Sequence, residues 1–256
     1  MRPFLAWIGL LLMIVSFVCL QLLPPISRPR VDSPAPATEG LFALVVLDPG
    51  HGGLDSGTMK GGMLEKELAL DVAHRAERFL QLQGVATLLT RTDDTYVSLA
   101  DRAAIANAQP KCVFISIHFD DATRAAATGV ETYYAGRQIS NSTRVASWFP
   151  FLQPSLGSVN LESQSLAAFV QEALVARTQA VNRGTTTQQF FVIANVRHPA
   201  VLVEGGFLTN ADELNKLATG DYREQIAAAI SDGVMRYRAV VRQQQTPLAV
   251  NLPGRD

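Results

Sequence analysis

The sequence predicts an α/β fold: a three-layer sandwich with a mostly parallel, about six-stranded mixed sheet and helices on both faces. Three observations carry that prediction. Leu41 to Leu47 is a near-continuous apolar run that stops at Asp-Pro-Gly, as a strand covered on both faces reads. The next stretch, Glu65 to Gln83, places Leu68, Val72, Ala76, Phe79 and Leu80 on one helical stripe, closed by Gly84. The same alternation of short β-type runs with helical periodicity then recurs to the end of the chain.

Taken in order, Val85 to Thr90 reads as a second strand and Leu99 to Ala108 as a short helix. Cys112 to His118 and Gly129 to Tyr134 have strand composition. After a long irregular stretch, Leu166 to Val181 is helical, and Phe190 to Ile193 and Val201 to Glu204 read as strands. A closing helix spans Asp221 to about Gln243, with Ile226, Ile230, Val234 and Tyr237 on one face. Residues 41–243 thus form one catalytic-sized domain, and 244–256 a solvated tail.

What precedes the domain differs in kind. Phe4 to Leu23 is apolar except for Ser16 and Gln21, a run of about twenty residues that can cross a bilayer as a helix. A cleavable signal peptide has a shorter apolar region with small residues close behind it, and Ala35-Pro36-Ala37 lies far beyond Leu23. A lipoprotein signal needs small residues before Cys19, where Phe17 and Val18 stand. Residues 1–23 are therefore expected to be an uncleaved signal-anchor, with a signal peptide as the alternative. Residues 24–40 are a Pro-rich tether. Either reading exports the domain to the cell envelope, in a periplasm or on the outer face of the membrane.

Composition excludes several classes. A net charge of −1 argues against a nucleic-acid binder. Two cysteines cannot build a disulfide scaffold or a thiolate zinc finger. Cys112, in an apolar run, reads as a small buried residue.

Four polar residues stand at or just after the carboxyl ends of expected strands, the edge at which open α/β sheets bind ligands. They are His51 in Asp48-Pro-Gly-His-Gly-Gly53, Glu65 at the first helix start, His118 in Ser116-Ile-His118, and Glu204 in Leu202-Val-Glu-Gly-Gly-Phe207. Two imidazoles and a carboxylate make a hydrolytic zinc set with room for water, and a further carboxylate can serve as general base. Each also has a structural reading: Glu65 as a helix-start acid, His118 as a satisfied strand-end histidine. Glu204 is harder to set aside, because a buried carboxylate is costly unless paired. Asp48 reads as the partner of a ligating histidine or as a turn cap. His74 reads as surface, and His198, before Pro199, as a structural loop residue.

These motifs resemble one family. Val45-Val-Leu-Asp-Pro-Gly-His-Gly-Gly53, Glu65-Lys66, Leu89-Thr-Arg-Thr-Asp-Asp-Thr-Tyr-Val-Ser-Leu99, Arg102 to Ala108, Phe114-Ile-Ser-Ile-His118 and Pro199-Ala-Val-Leu-Val-Glu-Gly-Gly-Phe-Leu-Thr-Asn210 resemble the zinc-dependent N-acetylmuramoyl-L-alanine amidases, amidase type 3. The resemblance spans roughly Phe42 to Tyr237. It implies one zinc ion per chain held by His51, Glu65 and His118, with Glu204 as the catalytic carboxylate. It also implies cleavage of the amide between N-acetylmuramic acid and the first alanine of the peptidoglycan stem.

One departure bears on the site: Phe119 follows His118 where a small residue is common, while Asp120 comes next where Asn or Asp is usual. Residues 137–164, with Trp148-Phe-Pro-Phe-Leu152, occupy a place where some family members carry a blocking helix that a partner removes. An autoinhibitory flap and a protein activator are thus expected alongside the plainer reading of a packed loop. The competing functions are a zinc peptidase or deacetylase acting on the wall, and an inactive wall-binding regulator.

Overall fold

A computed structural model describes residues 41–120, 127–138 and 160–245. In chain order they form β1 (Leu44–Pro49), a hairpin of β2 (Met59–Lys60) and β3 (Met63–Leu64), α1 (Glu65–Leu82), β4 (Ala86–Leu89), α2 (Leu99–Asn107) and β5 (Cys112–Asp120). There follow β6 (Val130–Tyr134), α3 (Leu161–Thr178), β7 (Asn182–Thr187), α4 (Phe191–Ala194), β8 (Ala200–Phe207), α5 (Ala211–Ala218) and α6 (Gly220–Gln245). Six strands make one sheet in the order β4-β1-β5-β8-β6-β7. The first four are mutually parallel, β6 runs antiparallel to β8, and β7 is parallel to β6.

The period-two alternation of strands sorts the central side chains onto two faces. Val45, Leu47, Val113, Ile115, Ile117, Val201 and Val203 belong to one buried cluster, together with the apolar stripes of α1, α3 and α6. Val46, Phe114 and Leu202, the residues between them, belong to a second cluster with α2 and α4. Burial on both sides is why these strands read as unbroken apolar runs. Each fully buried Val, Leu, Ile or Phe contributes about 1.5–3 kcal/mol.

Three helix starts are fixed by the residue before them. Ser98 accepts from Asp101 N, Asn160 from Ser163 N, and Asn210 from Asp212 N and Glu213 N. The tight turn of the β2–β3 hairpin is Gly61-Gly62, both at positive φ, as a two-residue hairpin of this hand requires.

The six-stranded count agrees with expectation, but one member differs. Phe190 to Ile193, expected as a strand, is the single turn α4, closed by Ala194 N to Phe190 O at 2.9 Å. Its Val192, Ile193 and Ala194 pack on Ala103 and Ala106 of α2, and a four-residue apolar run does not choose between helix and strand. The sixth strand is instead β7, whose Asn-Arg-Gly-Thr-Thr-Thr is polar and mostly exposed because it lies at the sheet edge. Helices α3 and α6 also differ in extent, starting at Leu161 and ending at Gln245 respectively. The segment after β8 also contains α5, an eight-residue helix capped by Asn210 that the expected elements did not include.

The expected membrane run, residues 4–23, the tether, and most of segment 137–164 with Trp148 lie outside the described residues. Among the described residues no helix is long and apolar enough to cross a membrane.

Candidate active site

The carboxyl ends of β1 and β5 and the start of α1 converge on one cluster. His51 Nε2 lies 3.0 Å from Glu65 Oε1, and His118 Nδ1 lies 3.0 Å from the same oxygen. One donor atom from each of His51, Glu65 and His118 falls within 4.8 Å of the others. The two imidazoles meet edge to face, with centroids 4.9 Å apart and planes at 75°. Three of the four residues singled out from sequence are therefore brought together by contact.

The backbone around His51 is built for this. His51 itself has φ 58°, in the left-handed region that non-glycine residues rarely occupy, a conformation that persists only where surroundings enforce it. Two buried guanidiniums supply that enforcement. Arg91 donates to Pro49 O at 3.0 Å and to Gly50 O and Lys66 O at 2.7 Å. Arg102 donates to Pro49 O and His51 O, each at 2.6 Å. The carbonyls of three successive loop residues are thus tied to two cations.

Glycines admit the donors. A Cβ on Gly50 would sit 2.6 Å from His118 Nε2, and one on Gly57 would sit 2.6 Å from Glu65 Oε2. Glu65 is further held by Thr58 N to Oε2 at 2.9 Å and Phe119 N to Oε1 at 3.1 Å. Beside the loop, Lys66 donates to Gly53 O and Asp94, and Asp94 accepts from Gly53 N.

The charges follow from this geometry. Burial would raise the Glu65 carboxyl, but its contacts with His118 and His51 outweigh that and hold it far below the usual carboxylate range. Burial opposes charge on His51, yet Glu65 and then Asp55 raise its pKa above the ordinary value. Asp55, four residues on, places Oδ1 3.0 Å from His51 Nδ1. Concentrated negative charge against two imidazoles is the electrostatic setting that a divalent cation fits, and nitrogen and carboxylate donors with this spacing suit zinc.

Glu204 is buried in β8, three residues before that strand ends at Phe207, rather than at its end. It is the direct register partner of His118 on β5 and of Glu131 on β6. Residues so paired project to the same face, so the sheet carries His118, Glu204 and Glu131 in one lateral row. Glu131 turns both oxygens toward β7, accepting from Arg183 Nε at 3.0 Å and Thr186 Oγ1 at 2.7 Å. Arg183 also lies over the Phe207 ring, 4.7 Å from its centroid.

Asp48 differs from both of its expected roles. It is fully buried within β1 and touches no histidine; it accepts from Thr90 Oγ1 at 2.5 Å, Arg102 Nη1 at 2.7 Å and Ser116 Oγ at 2.7 Å. Asp48 follows Val46 on the α2 face, where Arg102 and Ser116 also project, and with Thr90 these donors take up both of its oxygens. His74 is half-buried on α1, near Glu77 and Thr92 O, away from the cluster. His198 sits before β8, at the opposite end of the sheet, and burial lowers its pKa. Cys112 is buried, and burial pushes its thiol up to about 12.

Asp55, Arg91, Glu131 and Arg183 were not singled out from the sequence as site residues. Asp55 had a legible signal, four residues after His51 in the same glycine-rich loop. Glu131 and Arg183 had none, since only the antiparallel insertion of β6 brings Glu131 beside Glu204, with Arg183 pairing to Glu131 from β7.

Residues 45–236 match the family model described as N-acetylmuramoyl-L-alanine amidase. N-acetylmuramoyl-L-alanine amidase LytC of Bacillus subtilis (strain 168) is 36% identical over 194 residues, covering 75% of this chain. The chain spans only 35% of that relative's own length. The crystal structure of an N-acetylmuramoyl-L-alanine amidase from Clostridium difficile 630 superposes with a TM-score of 0.65 at 34% identity, covering 77% of this chain and 97% of that one. The catalytic domain of CwlV, an N-acetylmuramoyl-L-alanine amidase from Bacillus (Paenibacillus) polymyxa var. colistinus, does so at 0.65 with 31% identity, covering 78% and 99%.

Proposed function

The chain belongs to the N-acetylmuramoyl-L-alanine amidase family, and from that premise we propose that it hydrolyses the amide joining N-acetylmuramic acid to L-alanine in peptidoglycan. The observation that carries the reading is the convergence of His51, Glu65 and His118, with Glu204 in register beside His118. In this reading the three donors hold one zinc ion. Zinc supplies, when bound, a Lewis acid for the amide carbonyl and acidifies the attacking water toward neutrality.

The rest of the chemistry belongs to the chain. Glu204 takes a proton from the attacking water and delivers it to the departing alanine nitrogen, which an amide needs because an unprotonated amine leaves poorly. Arg91 and Arg102 keep the His51 loop in its unusual conformation, so that the ligand set is preorganised. The register of β5 and β8 fixes the lateral position of Glu204 relative to the ligand set.

The wider reading places the domain outside the cytoplasmic membrane, anchored by residues 4–23 or secreted after their removal, in wall remodelling or cell separation. It includes a regulating element within residues 137–164 that answers to a protein activator. Deletion of residues 140–163 with unchanged hydrolysis of purified sacculi removes that element from the reading.

One experiment tests the core proposal. Purified protein is assayed for bound metal, and its peptidoglycan digest is analysed by mass spectrometry. One equivalent of zinc, intact glycan strands and free peptides beginning at alanine are expected. Release of acetate or of single amino acids would assign the site to a deacetylase or peptidase instead, and absence of any product to a binding protein.

A further inference from the structure

At the edge of the sheet opposite the His51 cluster, the amino ends of β1, β5 and β8 meet the last turns of α6. Two clefts of about 480 and 260 Å³ adjoin there. Arg238, Arg242 and Leu41 line the first, and Lys111, Arg197, Glu162 and Phe42 the second. Arg238 also lies over the Phe42 ring, 5.9 Å from its centroid, which joins the two. Arg137 reaches the same edge because β6 runs antiparallel to β8, and its neighbour Gln138 donates to His198 O.

This edge is basic in a chain whose net charge is −1, and Glu162 is the one acidic residue lining either cleft. Several arginines elsewhere are matched: Arg75 with Asp71 and Glu224, Arg177 with Asp232, Arg223 with Asp71. Among the described residues, Lys111, Arg137, Arg197 and Arg238 enter no ion pair, and the first three are exposed. Unmatched positive charge facing water is an attractive field for an anionic surface.

The chain's own connectivity says which surface. The domain is entered at Leu41, on this edge, so the apolar run 4–23 joins it through residues 24–40. Fully extended, those residues reach no farther than about 60 Å. That tether carries Arg28 and Arg30 against Asp32 and Glu39, so it adds no net charge of its own. A bilayer that holds residues 4–23 therefore sees this edge at high local concentration.

The geometry points to a docking surface: the edge formed by Lys111, Arg137, Arg197 and Arg238 binds anionic lipid headgroups and turns the catalytic edge away from the bilayer. The inference rests on residues 4–23 engaging a membrane, and it goes beyond the amide-hydrolysing activity. Each cation near an anionic leaflet adds an attraction that falls off within a Debye length, so the contact is salt-sensitive.

The full chain is mixed with preformed vesicles of phosphatidylcholine alone, or of phosphatidylcholine with phosphatidylglycerol. Retention is read by flotation, and amide exchange is followed at residues 108–111, 135–138, 195–198 and 235–243. Expected is retention on both vesicles, with exchange slowed at those segments only on the anionic ones. The slowing is reversed at about 1 M salt, where the Debye length shrinks to about 3 Å. The double variant Lys111→Glu/Arg137→Glu keeps its melting temperature and retention but loses the slowing; Lys111→Gln/Arg137→Gln loses part of it. Retention only on anionic vesicles, with slowed exchange, supports the docking edge while removing the anchor. Equal exchange on both vesicle types, no effect of charge reversal, or no retention on either overturns the docking edge.

Discussion

His118 on β5 and Glu204 on β8 are direct register partners on adjacent parallel strands. Strand spacing of about 4.8 Å therefore sets how far apart their backbones lie, and the pairing sends both side chains to one face. The proposed metal donor His118 and the proposed base Glu204 are thus carried by neighbouring interior strands of the sheet. The loop that carries His51 is held instead by Arg91 and Arg102 through its backbone carbonyls.

Glu204→Gln keeps the shape of the side chain and removes its capacity to take a proton. Turnover on peptidoglycan is expected to fall about 10²–10⁴-fold, the usual contribution of a general base. Zinc stoichiometry and melting temperature stay as in the parent. Activity within tenfold of the parent would assign the proton transfer to another group.

Gly50→Ala probes the other side of the same relationship. The new methyl group collides with the His118 imidazole, 2.6 Å from its Nε2, while Gly50 needs no special backbone angle. The ring must turn away from Glu65. Zinc affinity, measured by competition with a chelator, is expected to drop by about 10–100-fold, the range seen when the support of a ligating histidine is lost. Unchanged affinity would show that His118 is not a ligand in the position seen.

Asp48 and Arg102 form a buried pair 2.7 Å apart, at 1% and 3% side-chain exposure. Removing one member leaves a charge without its partner, so Asp48→Asn and Arg102→Met should each cost about 3–5 kcal/mol. In a domain of this size that is a fall of roughly 6–20 °C in melting temperature. Arg102→Met also releases Pro49 O and His51 O, so its zinc affinity should weaken where that of Asp48→Asn holds better. A drop of equal size in both affinities would detach the arginine from the loop.

Much of this was legible in the sequence because the central strands are covered on both faces. Burial makes β1, β5 and β8 apolar along most of their length, and the polar residues interrupting them, Asp48, Ser116, His118 and Glu204, stand out for that reason. What was illegible obeys other constraints. An exposed edge strand such as β7 has no apolar pattern to announce it, and α4 is too short for a helical period to show. Sequence adjacency to His51 lets Asp48 read as a histidine partner or as a turn cap, and it is neither. Its oxygens are taken instead by Thr90, Arg102 and Ser116, residues far from it in sequence that only the folded sheet and α2 bring to it. Glu131 comes to the row beside Glu204, and Arg183 to Glu131, only through strand order.

Stability of the metal-free protein should depend on pH with a definite sign. Burial opposes the charged form of His51, but Glu65 and Asp55 outweigh it, so its folded pKa lies above the ordinary value of 6.5. A group whose pKa rises on folding binds more protons when folded. Its stabilisation is complete below the unfolded value and is lost as pH climbs through the raised folded value. With a chelator present, the melting temperature should therefore fall through a window beginning near 6.5. Zinc reverses the slope, because it requires the neutral ring and competes with protons for it. The gain in melting temperature on adding zinc should grow across that same window, and Asp55→Asn should move the start of the growth to lower pH. Differential scanning calorimetry from pH 6 to about pH 8.5, a span that brackets histidine titration, measures both slopes. A zinc-dependent gain that is flat with pH would mean that His51 does not exchange a proton for the metal.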